Sequence, residues 1–72
     1  MAVFIGHGML ASYGGEIKCD APTRLSILID ALNLPEDLRE NLLVVRNKNM
    51  IDDAELISCN DTLHLFIATH GG

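Results

Sequence analysis

Leu63-His64-Leu65-Phe66-Ile67-Ala68-Thr69 is the longest strand candidate in this chain, and it runs directly into His70-Gly71-Gly72. Leu, Phe, Ile and Thr suit a pleated, half-buried segment, and Asn60-Asp61 ahead of it supplies a turn. Side chains alternate across a strand, so Leu63, Leu65 and Ile67 share one face while His64, Phe66, Ala68 and His70 share the other. With the leucine face turned to a helix, Phe66 is expected to be partly exposed beside the C-terminal end.

A strand this apolar needs neighbours and a cover. Ala2 to His7 is a second apolar run, rich in Val, Phe and Ile and stopped by glycine, and reads as a buried strand. Gly8 to Gly15 then reads as a glycine-bounded connection, and Glu16-Ile17-Lys18-Cys19-Asp20 alternates as a half-buried strand does, giving an N-terminal hairpin. Pro22 and Thr23 mark a helix start, and Leu25, Leu28, Ile29 and Leu32 follow at the spacing that gathers apolar groups on one helical face. Asn33 and Pro35 end it, and Pro35-Glu36-Asp37-Leu38 has room for one further turn. Leu42 to Val45 is a partly β-branched strand closed by Asn47-Lys48-Asn49, after which Met50-Ile51 pairs back; Ala54 to Cys59 is ambiguous.

That order predicts an α+β fold, a mixed sheet with one main amphipathic helix packed across it. Side by side, the first and last strands are joined by a connection that passes over the helix, and the right-handed crossover rule makes them a parallel central pair. This is the β-grasp arrangement. Residues 1–70 are assigned to this single domain and residues 71–72 to a flexible Gly-Gly tail.

Seventy-two residues bury about 60% of the unfolded chain's surface, too little for a deep cleft between lobes, so a surface or a terminus is expected to carry the function. Apolar residues at 49% and charged residues at 21% are the balance of a folded domain. The net charge of -5, with dispersed basic residues, disfavours nucleic acid and anionic lipid and favours a basic partner surface. Cys19 and Cys59 fit no metal-ligand spacing and read as small half-buried hydrophobes in a reducing cytoplasm. The chain shows no signal-peptide pattern, membrane span or lipidation motif, so a cytoplasmic protein is expected.

Thr62-Leu63-His64-Leu65, followed at the same spacing by Gly71-Gly72, resembles the end of ubiquitin. In length, and in opening on a strand, the whole chain is similar to the ThiS/MoaD family of prokaryotic sulfur carriers, ubiquitin-like β-grasp proteins that end in Gly-Gly. Ala68 and His70 replace the arginines that precede Gly-Gly in ubiquitin. Neither the Pro-Pro of many MoaD tails nor the Val-Val-Gly-Gly of many ThiS tails is present, so the pathway, thiamine or molybdopterin, stays open. The resemblance implies a protein cosubstrate rather than an enzyme. Its Gly72 carboxylate is adenylated with ATP on a ThiF/MoeB-like enzyme and converted to a thiocarboxylate, which a sulfur-accepting biosynthetic enzyme consumes. It also implies a docking patch, on the ubiquitin precedent, at His64, Phe66, Ala68 and His70.

The chemistry agrees with those residue types. An α-carboxylate with a reference pKa of about 3.3 to 3.7 is ionised at neutral pH and a poor electrophile, so it requires activation. Gly71 and Gly72, without Cβ, can extend through a narrow channel and lie close to a nucleotide. With Gly at about 7% of residues, two in succession at a chosen position arise by chance in roughly one chain in two hundred. His7, His64 and His70 lack ligand spacing, so no metal and no bound cofactor is expected. Gly6-His7-Gly8 reads as a strand-ending turn rather than a phosphate loop, and Asp52-Asp53 as loop charges. Two other functions share the same sequence features: a ubiquitin-like modifier joined to lysines through Gly72, and a β-grasp module that binds without covalent chemistry.

Overall fold

The computed structural model describes residues 1–68; Thr69, His70, Gly71 and Gly72 lie outside the described residues. Ten elements follow one another. They are β1 (Ala2–Gly6), a 3-10 helix (Gly8–Tyr13), β2 (Gly15–Ile17), β3 (Thr23–Arg24), α1 (Leu25–Ala31), α2 (Glu36–Glu40), β4 (Leu42–Arg46), β5 (Asn49–Ile51), β6 (Leu56–Ile57) and β7 (Thr62–Ile67). Five strands form a mixed sheet in the order β2-β1-β7-β4-β5, and β3 with β6 makes a separate antiparallel pair.

The parallel pair expected of the first and last strands is present. Phe4 stands opposite Leu63 and Gly6 opposite Leu65, while β4 runs antiparallel on the other side of β7 with Leu42 opposite Ile67. The N-terminal hairpin also forms, with Ala2 opposite Ile17. Alternation then builds the core. Ala2 and Phe4 from β1, Val44 from β4 and Leu63 and Leu65 from β7 join Leu25, Leu28 and Ile29 of α1 in one buried cluster with Leu10 and Ile57. Burying each of these Leu, Ile and Phe side chains contributes about 1.5–3 kcal/mol against leaving it exposed.

The helices differ from the sequence expectation. The main helix is short, seven residues in α1, and the further turn expected after Pro35 is the five-residue α2, while a six-residue 3-10 helix lies within the segment expected to be a plain connection. Pro22 and Thr23 do not start α1. Thr23 and Arg24 pair with Ile57 and Leu56, and the Thr23 hydroxyl donates to the Ala21 carbonyl at 2.9 Å instead of capping. The first helical N–H groups, of Leu25 and Ser26, donate to the carbonyls of Glu55 (2.9 Å) and Asp53 (3.1 Å). Tertiary carbonyls thus satisfy donors that a capping side chain usually takes. The other end follows expectation, since Asn33 enters the left-handed region at φ 56, as asparagine does after a helix.

Strand ends shift by a few residues. The second strand is Gly15–Ile17 rather than Glu16 to Asp20, the first stops at Gly6, and the last stops at Ile67. Asn47 and Lys48, at φ 53 and 69, make the tight two-residue turn that a right-twisted hairpin favours, which places Asn49 opposite Arg46 in β5. No helix among the described residues is long and apolar enough to cross a membrane.

Candidate functional site

The site begins with how β7 is held where the chain leaves the sheet. On one side the Ala68 N–H donates to the Asn41 carbonyl at 2.7 Å, just before β4; on the other the His7 N–H donates to the Leu65 carbonyl at 3.1 Å, just after β1. The exit of the last strand is therefore clamped from both neighbours. Beyond β1 the chain turns sharply, with Gly8 at φ 60 and the Leu10 N–H donating to the His7 carbonyl at 3.1 Å. Gly6 makes that fold-back possible, since a Cβ there would lie 1.8 Å from the Leu10 carbonyl oxygen.

His7 is thereby placed on the same sheet face as His64 and Phe66. Its ring is parallel to that of Phe66, with centroids 4.5 Å apart and planes within 4°. Its Nε2 also makes a 2.9 Å hydrogen bond with His64 Nδ1. The ring centroids are 5.1 Å apart and the planes differ by 26°, so at that nitrogen separation the two imidazoles meet nearly edge to edge. One nitrogen of the pair must donate and the other accept, so the bond requires at least one neutral ring. Beside these rings, His7, Gly8, Met9, Phe66 and Ile67 line an open depression of 260 Å³.

The alternation expected of the last strand holds: Leu63 and Leu65 are fully buried, His64 is half-buried and Phe66 is 38% exposed. Ala68 is half-buried at the clamp, whereas His70, Gly71 and Gly72 lie outside the described residues. His7 is an addition: read from sequence as an ordinary strand-end histidine, it packs on Phe66. The face is also broader than one aromatic. Ile5 and Val45 stand on either side of His64, Met50 stands opposite Val45, and Leu43 stands opposite Phe66. Ile5, Phe66 and Met50 are exposed and Val45 and Leu43 half-buried, so an apolar band crosses the sheet on the side away from the core. The signal for it was the unbroken run Leu42 to Val45, which makes both faces of β4 apolar.

Arg46 fixes the opposite end of β4. It donates to the Leu56 carbonyl at 2.9 Å and pairs with Asp61 at 3.2 Å, and the same Asp61 oxygen accepts the Ser58 N–H at 2.8 Å. Among the described residues no three His, Cys, Asp or Glu side chains converge as a metal site would require, and no buried side-chain polar atom lacks a partner. No protein-family model matches this chain, and no curated protein matches it either.

Proposed function

We propose that this chain is a sulfur-carrier protein of the ThiS/MoaD type, with a β-grasp fold whose C-terminal Gly72 is the reacting residue. The observation that carries the reading is the position of β7. It is the middle strand of the sheet, parallel to β1 and clamped at Asn41 and His7, its exposed Phe66 belongs to the apolar band, and in the sequence it is followed by Gly71-Gly72. A strand so placed presents its terminus from a rigid base, as delivery into another enzyme's nucleotide site demands.

In this reading the protein is a cosubstrate. The Gly72 carboxylate attacks the α-phosphate of ATP on a ThiF/MoeB-like adenylating enzyme, and pyrophosphate leaves. A sulfur nucleophile then displaces AMP at the carbonyl, so one carboxylate oxygen departs with AMP and sulfur takes its place. Phe66, His64 and Ala68 dock the adenylating enzyme together with His70, and His7 stacks on the Phe66 ring. The aromatic centre, ringed by Ile5, Leu43, Val45 and Met50, has the make-up of an interface core, and the net charge of -5 suits a basic partner. The thiocarboxylate then serves a sulfur-accepting enzyme of thiamine or molybdopterin type in the cytoplasm.

The test is exchange of labelled pyrophosphate into ATP by an adenylating enzyme in the presence of this chain. Exchange that depends on the chain and disappears with Gly72→Ala supports the reading. Absence of exchange, with the enzyme active on another carrier, would remove it. Lysine-linked adducts without sulfur incorporation would move the reading to a modifier, and partner binding that survives removal of Gly71 and Gly72 would move it to a non-covalent module.

A further inference from the structure

Cys19 and Cys59 are 40 positions apart, yet the Cys59 thiol donates to the Cys19 carbonyl oxygen at 2.7 Å. Cys19 lies in the loop between β2 and β3, and Cys59 in the turn between β6 and β7. Both are free and half-buried, open to a small reagent yet held by their surroundings.

The segments that carry the two cysteines are both tied to β1. Ile17, two residues before Cys19, pairs with Ala2. The turn that carries Cys59 is closed by the Asp61 N–H on the Ser58 carbonyl at 3.2 Å. It is tied to β1 by the Val3 N–H on the Asp61 carbonyl at 3.0 Å. Two separately held segments thus set the Cys59 thiol against the backbone of Cys19, which makes the two residues neighbours in space.

We propose that Cys19 and Cys59 form an internal dithiol that a small disulfide oxidant, of the class of oxidised glutathione, closes into a disulfide. One thiolate attacks the oxidant, forming a mixed disulfide and expelling one thiolate. The second cysteine loses its proton and attacks the protein sulfur of that mixed disulfide, and the other half of the oxidant leaves. The protein gives up two electrons and two protons, and one oxidant becomes two thiols. The contact with Cys19, with a smaller contribution from burial, pushes the Cys59 thiol up from its ordinary value. That makes Cys59 a slow first attacker and suits it to the resolving step, where the mixed disulfide is already within reach.

The pair sits where β7 begins. Six residues at about 3.3 Å each put it roughly 20 Å from the end where the chain leaves the sheet. Closure would tie the β2–β3 loop to the β6–β7 turn and leave the clamp at Asn41 and His7 untouched. The inference is thus independent of the chemistry assigned to Gly72.

The experiment places the full chain in glutathione buffers of graded redox ratio, alkylates the remaining thiols, and reads intact mass and peptide linkage. The expected product is a monomer lighter by two hydrogens, with Cys19 and Cys59 in one linked peptide and neither alkylated. Its Tm should rise by on the order of 10 °C over the reduced form. Cys19→Ser and Cys59→Ser should each retain one glutathione as a stable mixed disulfide. The proposal is overturned if the wild-type chain keeps both thiols alkylatable at every ratio or retains glutathione on both cysteines. Cross-linking to a second copy in place of the internal bridge would also overturn it, as would a bridge formed only in the urea-denatured chain.

Discussion

The imidazole of His7 stacks on the ring of Phe66, 4.5 Å between centroids and with the planes within 4° of parallel. The two residues come from opposite ends of the sequence and meet because β1 and β7 are parallel neighbours whose pairing ends at Gly6 and Leu65. Stacking fixes an aromatic that is 38% exposed, so Phe66 offers a partner a rigid face with little rotamer entropy left to lose.

Phe66→Ala should therefore separate docking from folding. If Phe66 anchors the adenylating enzyme, its loss should raise the KM for this chain tenfold or more, about 1.4 kcal/mol or above, with kcat little changed. Urea unfolding of the variant should stay within about 1 kcal/mol of the parent. Pyrophosphate exchange against chain concentration measures the first quantity. An unchanged KM would take Phe66 out of the interface.

Leu65→Ala, one position earlier on the same strand, should behave in the opposite way. Leu65 is fully buried between the sheet and α1, and truncating it leaves a cavity worth about 2–5 kcal/mol. Chemical denaturation should show that loss. A cost below about 1 kcal/mol would mean that the core is looser than its burial indicates.

Gly6→Ala should disturb the site through the backbone. The added Cβ meets the Leu10 carbonyl oxygen at 1.8 Å, a backbone atom that can yield only if the 3-10 helix moves. A destabilisation of about 1–3 kcal/mol is expected. It should be accompanied by loss of the His7–His64 hydrogen bond, seen as a change in the imidazole NMR resonances of both rings. Unchanged resonances and stability would show that the fold-back tolerates a side chain.

Cys59 gives a pH prediction. Its thiol is pushed up from its ordinary value, first by the hydrogen bond with Cys19 and then by burial, so alkylation of Cys59 in the folded chain should reach half its maximal rate at higher pH than in the urea-unfolded chain. A raised folded value means that the unfolded chain releases this proton first as pH rises. The associated stability is complete below the unfolded thiol's value and lost as pH climbs through the folded one. Coincident folded and unfolded profiles would contradict the contact.

Much of this arrangement could be read from residues alone. Alternation in Leu63 to Ile67 predicted which side chains are buried, and the order of apolar runs predicted a mixed sheet with parallel first and last strands. Local patterns fell short where distant backbone decided the outcome. The start of α1 moved to Leu25 because carbonyls of Glu55 and Asp53, some thirty residues on, take its first N–H groups. The single helix expected from the leucine spacing is short because Asn33 turns left-handed, with α2 forming separately after Pro35. At the site, Phe66 was legible from strand parity and His7 was not. Its place depends on the β1–β7 register and on the approach of Gly6 to Leu10, and neither carries a periodic signal. Of the apolar band only the β4 part was signalled, by the run Leu42 to Val45, since Ile5, Val45 and Met50 become neighbours only once four strands are laid side by side.

The central claim is chemistry at Gly72, and the intact mass of the chain with a free C-terminus tests it most directly. After incubation with ATP, a sulfur source and an extract of the source organism, the account predicts a mass gain equal to replacing one oxygen by sulfur. Fragmentation should locate the gain on Gly72, and Gly72→Ala should not show it. An unchanged mass, in an extract that loads a control carrier, would contradict the account.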